Sequence, residues 1–249
     1  MVRLLRRHLQ QSFEYKDKNG QRRGVDKHRR PGRPKPKGMR PSERHKMRPR
    51  LLGREPLHVT IRVTKVVKKL RQRHFYLAIR RAMVTTFHRT TFRIVHASIQ
   101  NSHLHLLIEA DDHMALARGM QGFQISAAKH INAAIGKACG EKRRGRVFAD
   151  RYRATAISSR RGVWNRLVYV LNNWRHHRED RFDNTRAFPV DPFSTGPSFT
   201  GWNRSVEYDW PSTYEPLPVW EPKTWLLREG WRMYGLLDPA VVPGAHDDE

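Results

Sequence analysis

The sequence predicts an α+β protein built on a ferredoxin-like antiparallel sheet. Two observations carry that expectation. Between residues 51 and 180 strand-type and helix-type hydrophobic patterns alternate in the order β-α-β-β-α-β-α, whose first six elements match the split βαβ arrangement. The apolar periodicity is also confined to that segment, which lies between a proline- and charge-rich arm and a tryptophan-rich tail.

The first element, Leu57-His58-Val59-Thr60-Ile61-Arg62-Val63, alternates apolar and polar residues without error, the pattern of a strand with one buried face. From about 66 to 88, Phe75, Ile79 and Met83 recur every four residues with Ala78 and Ala82 beside them, so a helix is expected. Phe92 to Ile99 and His103 to Glu109 read as a strand hairpin joined by the turn formers Gln100-Asn101-Ser102. A second helix over 113–138 carries the stripe Leu116, Met120, Phe123, Ala127 and Ile131 and ends near Gly140. Arg146 to Ile157 reads as the fourth strand. Ser158 or Ser159 then caps a third helix running to about His176, with Trp164, Leu167, Val168 and Leu171 as its apolar stripe. Two helices are expected on one face of the sheet, with the other face open.

Composition narrows the function. The chain has 249 residues and a net charge of +26, a surplus that fits a polyanionic partner and makes nucleic acid the leading candidate. Residues 1–50 hold 18 Lys+Arg against 4 Asp+Glu and are rich in proline, so they read as a basic disordered arm. Residues 51–180 form the folded domain. Residues 181–249 carry 11 acidic against 6 basic side chains and five of the seven tryptophans, and read as an acidic appendage packed on the domain, with a short helix near 222–234 burying Trp225, Leu226 and Trp231. The single cysteine, Cys139, excludes a disulfide scaffold and a cysteine-built zinc site. With neither a signal-type apolar core nor a membrane-length apolar run, the chain is expected in a reducing, intracellular compartment away from membranes.

The open sheet face is where chemistry is expected. Leu104, Leu106 and Ile108 take one side of their strand, so His103 and His105 project together from the other; His58, Thr60 and Arg62 share that side if the strands are neighbours. On residue type alone, such an imidazole pair serves metal binding, contacts phosphate or is simply solvated. Four residues turn a helix by about 400°, which stacks Tyr169 and Asn173 on one side of the third helix. If that helix crosses the open face, the Asn173 carbonyl can complete a metal site and Tyr169 can reach a phosphate bound there.

These motifs resemble the single-tyrosine HUH transposases of the insertion-sequence-200-like type, especially the REP-associated tyrosine transposases. Leu57-His58-Val59-Thr60-Ile61-Arg62 is similar to that family's first strand. Gln100-Asn101-Ser102-His103-Leu104-His105-Leu106-Leu107 is similar to its Pro-Asn-His-Val-His-Leu-Leu segment, Val147-Phe148-Ala149-Asp150-Arg151-Tyr152 to the approach to its last strand, and Tyr169-Val170-Leu171-Asn172-Asn173 to its Tyr-x-x-x-Asn-Pro helix. The likeness spans about residues 55 to 180. Ser102 stands where the family has Asn, and Trp174 where it has Pro.

The resemblance implies His103 and His105 as metal ligands, Asn173 as the third, Tyr169 as nucleophile, and Mg²⁺ or Mn²⁺ as cofactor. It implies a single-stranded DNA endonuclease and strand transferase that works through a 5′-phosphotyrosine beside DNA hairpins, as a monomer or homodimer, in the bacterial cytoplasm near the nucleoid. Arg62, Lys142, Arg143, Arg144, Arg151 and Arg153 are the expected backbone contacts. The residues themselves also admit a non-catalytic module that reads DNA or RNA structure on the sheet, a hydrolase using activated water, and Tyr152 as a different nucleophile.

Overall fold

The computed structural model describes residues 51–67, 69–182 and 185–244; the basic arm over 1–50 lies outside the described residues. The elements are β1 (Leu57–Arg62), α1 (Arg73–Val84), β2 (Phe92–Ile99), β3 (His103–Ala110), α2 (His113–Cys139), β4 (Arg153–Ala156), α3 (Arg160–His176) and the single turn α4 (Trp225–Arg228), followed by a 3₁₀ segment at Gly230–Tyr234. The four strands form one sheet in the order β2-β3-β1-β4 with every neighbouring pair antiparallel, the topology the sequence predicts.

Local chemistry explains each boundary. The first helix begins at Arg73 rather than near 66 because Leu70 N–H is bonded to Asn101 O across the fold, which takes the backbone before it out of helical register. It ends at Val84 rather than 88, where the Thr85 and Thr86 hydroxyls donate back to Ala82 O and Met83 O. Asp112 caps α2 by accepting from Ala115 N–H, and Gly140 closes it in the left-handed conformation at φ 75°. Ser159 caps α3 by accepting from Gly162 N–H. The predicted fourth strand is two pieces: Phe148 bridges Val63, Asp150 accepts from Arg151 N–H in a bend, and only Arg153–Ala156 pairs with β1 as a ladder.

Two cores result. Leu57, Val59 and Ile61 of β1, with Leu104, Leu106 and Ile108 of β3, meet the stripes of α1 and α2. On the opposite face Val95 and Leu107 meet α3, and Val190, Trp202, Leu227, Trp231 and Leu237 close over the helix from outside. The face expected to be open is therefore covered by α3 and the C-terminal segment. For the same reason α3 is not amphipathic in use: every residue from Leu167 to Trp174 is buried, because the helix is a middle layer.

Polar ties hold that outer layer. Glu109, fully buried on β3, accepts from Lys223 N–H and Thr224 N–H at 2.9 and 2.7 Å and from Arg93 Nε at 3.1 Å. Asp191 receives both Arg71 Nη atoms at 3.0 and 2.8 Å. Within the tail Trp231 and Leu227 are buried, whereas Trp225 is 51% exposed and Leu226 is half-buried. The expected continuous helix is broken after Arg228, so Trp231 enters the core from a different phase.

Gly119 of α2 lies so close to the Phe92 ring that an added Cβ would overlap it. Gly119→Ala is expected to destabilise the fold by roughly 1–3 kcal/mol, and Glu109→Ala, which removes the buried carboxylate shared by Arg93 and the Lys223 and Thr224 N–H groups, by about 3–5 kcal/mol; urea denaturation checks both.

Candidate active site

Strand register builds the site. Directly opposed residues of antiparallel strands point to the same face. Arg62 stands opposite His103, Thr60 is flanked by His105 and Arg153, and His58 by Leu107 and Thr155. Arg62, Thr60, His58, His103 and His105 thus share the face that α3 overlies. Because α3 packs on β2 and β3, Arg62 and Arg153 stay exposed beside the histidine pair.

The imidazoles form a chain. His103 Nε2 lies 2.8 Å from His105 Nε2. His105 Nδ1 lies 3.0 Å from His58 Nε2 and 3.3 Å from Thr60 Oγ1, and Ser102 Oγ is 3.1 Å from His103 Nδ1. The His58 and His105 rings lie within 21° of one plane with centroids 5.1 Å apart, and the Tyr169 ring stands steeply to both, its centroid 5.1 Å from that of His105 and 5.8 Å from that of His58. At the other end of the pair, His177 lies 5.6 Å from His103. Residues 169, 173 and 177 follow one side of the helix at four-residue steps. With Tyr169 against His105 and His177 against His103, Asn173 falls between them on the side that faces the pair.

The donor set suits a divalent cation. Burial first, then the charges of His177 and Arg62, holds His103 down to a pKa of about 4. His105 is held well below its ordinary value by burial, then by His103, His58, His177 and Arg166. Both rings are therefore neutral at pH 7, the form that ligates. Two nitrogens bonded at ~2.1 Å on adjacent positions of one ion sit ~3.0 Å apart, close to the 2.8 Å between the two Nε2 atoms. Asn173 is fully buried, and neither its Oδ1 nor its Nδ2 has a hydrogen-bond partner among the described residues, so its carbonyl is available as a third donor. Among the described residues no three His, Cys, Asp or Glu side chains are disposed to hold a metal, so an ion here depends on that amide.

The other sequence-derived candidates divide. Tyr152 is buried in the α1–α2 core, on the face opposite the histidines. Lys142, Arg144 and Arg151 are exposed in the segment between α2 and β4, the part of the chain whose Val147–Ala149 runs beside the end of β1. Arg143 is half-buried and committed to the loop, bonded to Asn132 and, at 3.3 Å, to Arg146 O. His177 was not picked out from the sequence, although its position four residues beyond Asn173 was the available signal.

The fold and this face define a split βαβ domain with a tyrosine-bearing helix laid over a histidine pair. Residues 57–172 match the profile of the IS200-like transposases, a span that takes in both histidines and Tyr169. Among solved structures, one described as a REP-associated tyrosine transposase bound to a REP hairpin is 16% identical, with a TM-score of 0.48, covering 73% of this chain and 99% of that one. A protein of Deinococcus radiodurans R1 described as a transposase is 11% identical, with a TM-score of 0.33, covering 59% and 98% respectively. No curated protein matches the sequence. No described helix is long and apolar enough to cross a membrane.

The histidines also set a pH dependence. His96, bonded to Thr195 Oγ1 at 3.2 Å, is lowered by burial to about 4, as is His103. Between the ordinary 6.5 and about 4 the unfolded chain binds more protons than the folded one, so stability falls as pH drops through that window. Thermal melts from pH 7 to pH 4.5 should show the decline, and His96→Asn should make it shallower.

Proposed function

We propose that this protein is a transposase of the IS200-like type, a metal-dependent single-stranded DNA endonuclease and strand transferase that acts beside DNA hairpins through a 5′-phosphotyrosine intermediate. One observation carries the reading: the Tyr169 ring stands edge-on to His105 while His105 and His103 bring their Nε2 atoms to 2.8 Å. A nucleophile-type side chain and a ligand-type pair thus occupy one small region of an otherwise packed face.

His103, His105 and Asn173 would hold a Mg²⁺ or Mn²⁺ ion. When bound, that ion supplies positive charge to the scissile phosphate and to the charge that develops on it. Imidazole donors favour Mn²⁺ of the two. Tyr169 Oη forms a bond to phosphorus as the bond from phosphorus to the 3′ oxygen breaks; the phenol gives up its proton, and the departing oxygen takes one up as a 3′-hydroxyl. The bond is exchanged rather than hydrolysed, so a later 3′-hydroxyl can reverse the step without ATP. Arg62 and Arg153, exposed beside the pair, receive the phosphates on either side, with Lys142, Arg144 and Arg151 continuing the basic track; Arg143 contributes its charge from the loop it braces. An unpaired strand is the suitable substrate, because its backbone can approach a sheet face that a helix partly roofs.

With Mn²⁺ and a hairpin-flanked single-stranded oligonucleotide, the protein should form an adduct that survives denaturant. Tyr169→Phe should abolish the adduct and the cleavage together, and His103→Ala should lower its rate at least about a hundredfold. Cleavage that persists in Tyr169→Phe would assign the nucleophile to water instead.

A further inference from the structure

We propose that His58 is a positioning residue that fixes which nitrogen of His105 faces the metal. The inference rests on the reading of His103 and His105 as ligands. His105 has two ring nitrogens in different surroundings: Nε2 faces its partner ligand at 2.8 Å, and Nδ1 faces His58 Nε2 at 3.0 Å and Thr60 Oγ1 at 3.3 Å. A ligating Nε2 must present its lone pair, so the ring proton belongs on Nδ1, where it needs an acceptor. His58 Nε2 is the nearer one. His58 is 3% exposed and its ring lies within 21° of the plane of His105, centroids 5.1 Å apart, so the bond holds the plane of the ligand as well as its tautomer. The same ring meets Tyr169 edge-on at 5.8 Å, so one side chain braces the ligand and the nucleophile together.

His103 is served differently. Its Nδ1 meets the Ser102 hydroxyl at 3.1 Å, and a hydroxyl can donate or accept. Before metal binding, His103 Nε2–H donates to His105 Nε2 and Ser102 donates to His103 Nδ1. In the ligating form the His103 proton sits on Nδ1 and Ser102 accepts it. His105 needs no such exchange, because His58 already holds its proton on the far side.

The test measures Mn²⁺ binding by calorimetry on the full chain, with circular dichroism to confirm the fold. Wild type and three variants are compared: His58→Phe, which keeps the bulk and removes the acceptor; His58→Gln, whose amide oxygen can take the place of Nε2; and Tyr169→Phe, which leaves the ligands intact. His58→Phe should bind Mn²⁺ about 10–100-fold more weakly, while His58→Gln and Tyr169→Phe should stay within about threefold of wild type, and saturating Mn²⁺ should restore adduct formation in His58→Phe. Wild-type affinity in a folded His58→Phe protein overturns the inference, as does equal weakening in the Phe and Gln variants. A wild-type protein that binds no Mn²⁺ overturns the metal reading itself, and this inference with it.

Discussion

The register of β1 against β3 is the constraint on which the rest depends. Thr60 opposes His105 and Arg62 opposes His103, while Val59 and Ile61 oppose Leu106 and Leu104 on the other face. A slip of one residue would turn His58, Thr60 and Arg62 into the α1–α2 core and present Val59 and Ile61 to the histidines. The apolar core therefore sets the polar site. Burying Leu57, Val59 and Ile61, each stabilising by about 1.5–3 kcal/mol, fixes the phase that brings His58 to His105.

A second layer of constraint comes from the tail. Packing on the sheet places one side of α3, yet Asn172, next to the sheet-facing Asn173, is buried as well. The C-terminal segment supplies that cover: Asn172 Nδ2 donates to Asp238 O, and Arg175 donates to Pro239 O and Pro189 O. Buried carboxylates anchor the segment, Glu109 on β3 and Asp191 beside Arg71, and charge-assisted bonds of this kind are directional as well as strong. The helix that carries Tyr169 and Asn173 is thus held from both faces, which limits how far it can shift relative to the imidazoles. The acidic character of the tail and the basic character of the domain have a local meaning here, since Arg71 pairs with Asp191 and Arg80 with Glu215.

A third tie joins the two motif-bearing elements directly. Asn101, in the turn just before His103, donates to Glu179, which follows the end of α3, and Arg71 Nε lies 3.8 Å from the same carboxylate. The turn that starts the histidine strand and the end of the tyrosine helix are thereby linked by side chains from three separate parts of the chain. Preorganisation of this kind serves the proposed strand transfer, because misplacing a reacting group by about 1 Å can cost two orders of magnitude in rate.

The alternation of Leu57–Val63, the hairpin around Gln100–Ser102, the serine cap of α3 and the stop at Gly140 were legible because each depends on neighbours within a few residues. So were the shared faces of His103 with His105 and of Tyr169 with Asn173, which follow from the periods of a strand and a helix. The sequence by itself determined the element order, the topology and the residue types available to the site. Only the tertiary structure decided that α3 is a buried middle layer, that His58 bonds His105 across 47 residues of chain, that His177 approaches His103, and that Tyr152 belongs to the opposite core. Those outcomes turn on distances between segments far apart in sequence, and such distances are set by side-chain packing and burial, which local periodicity does not encode.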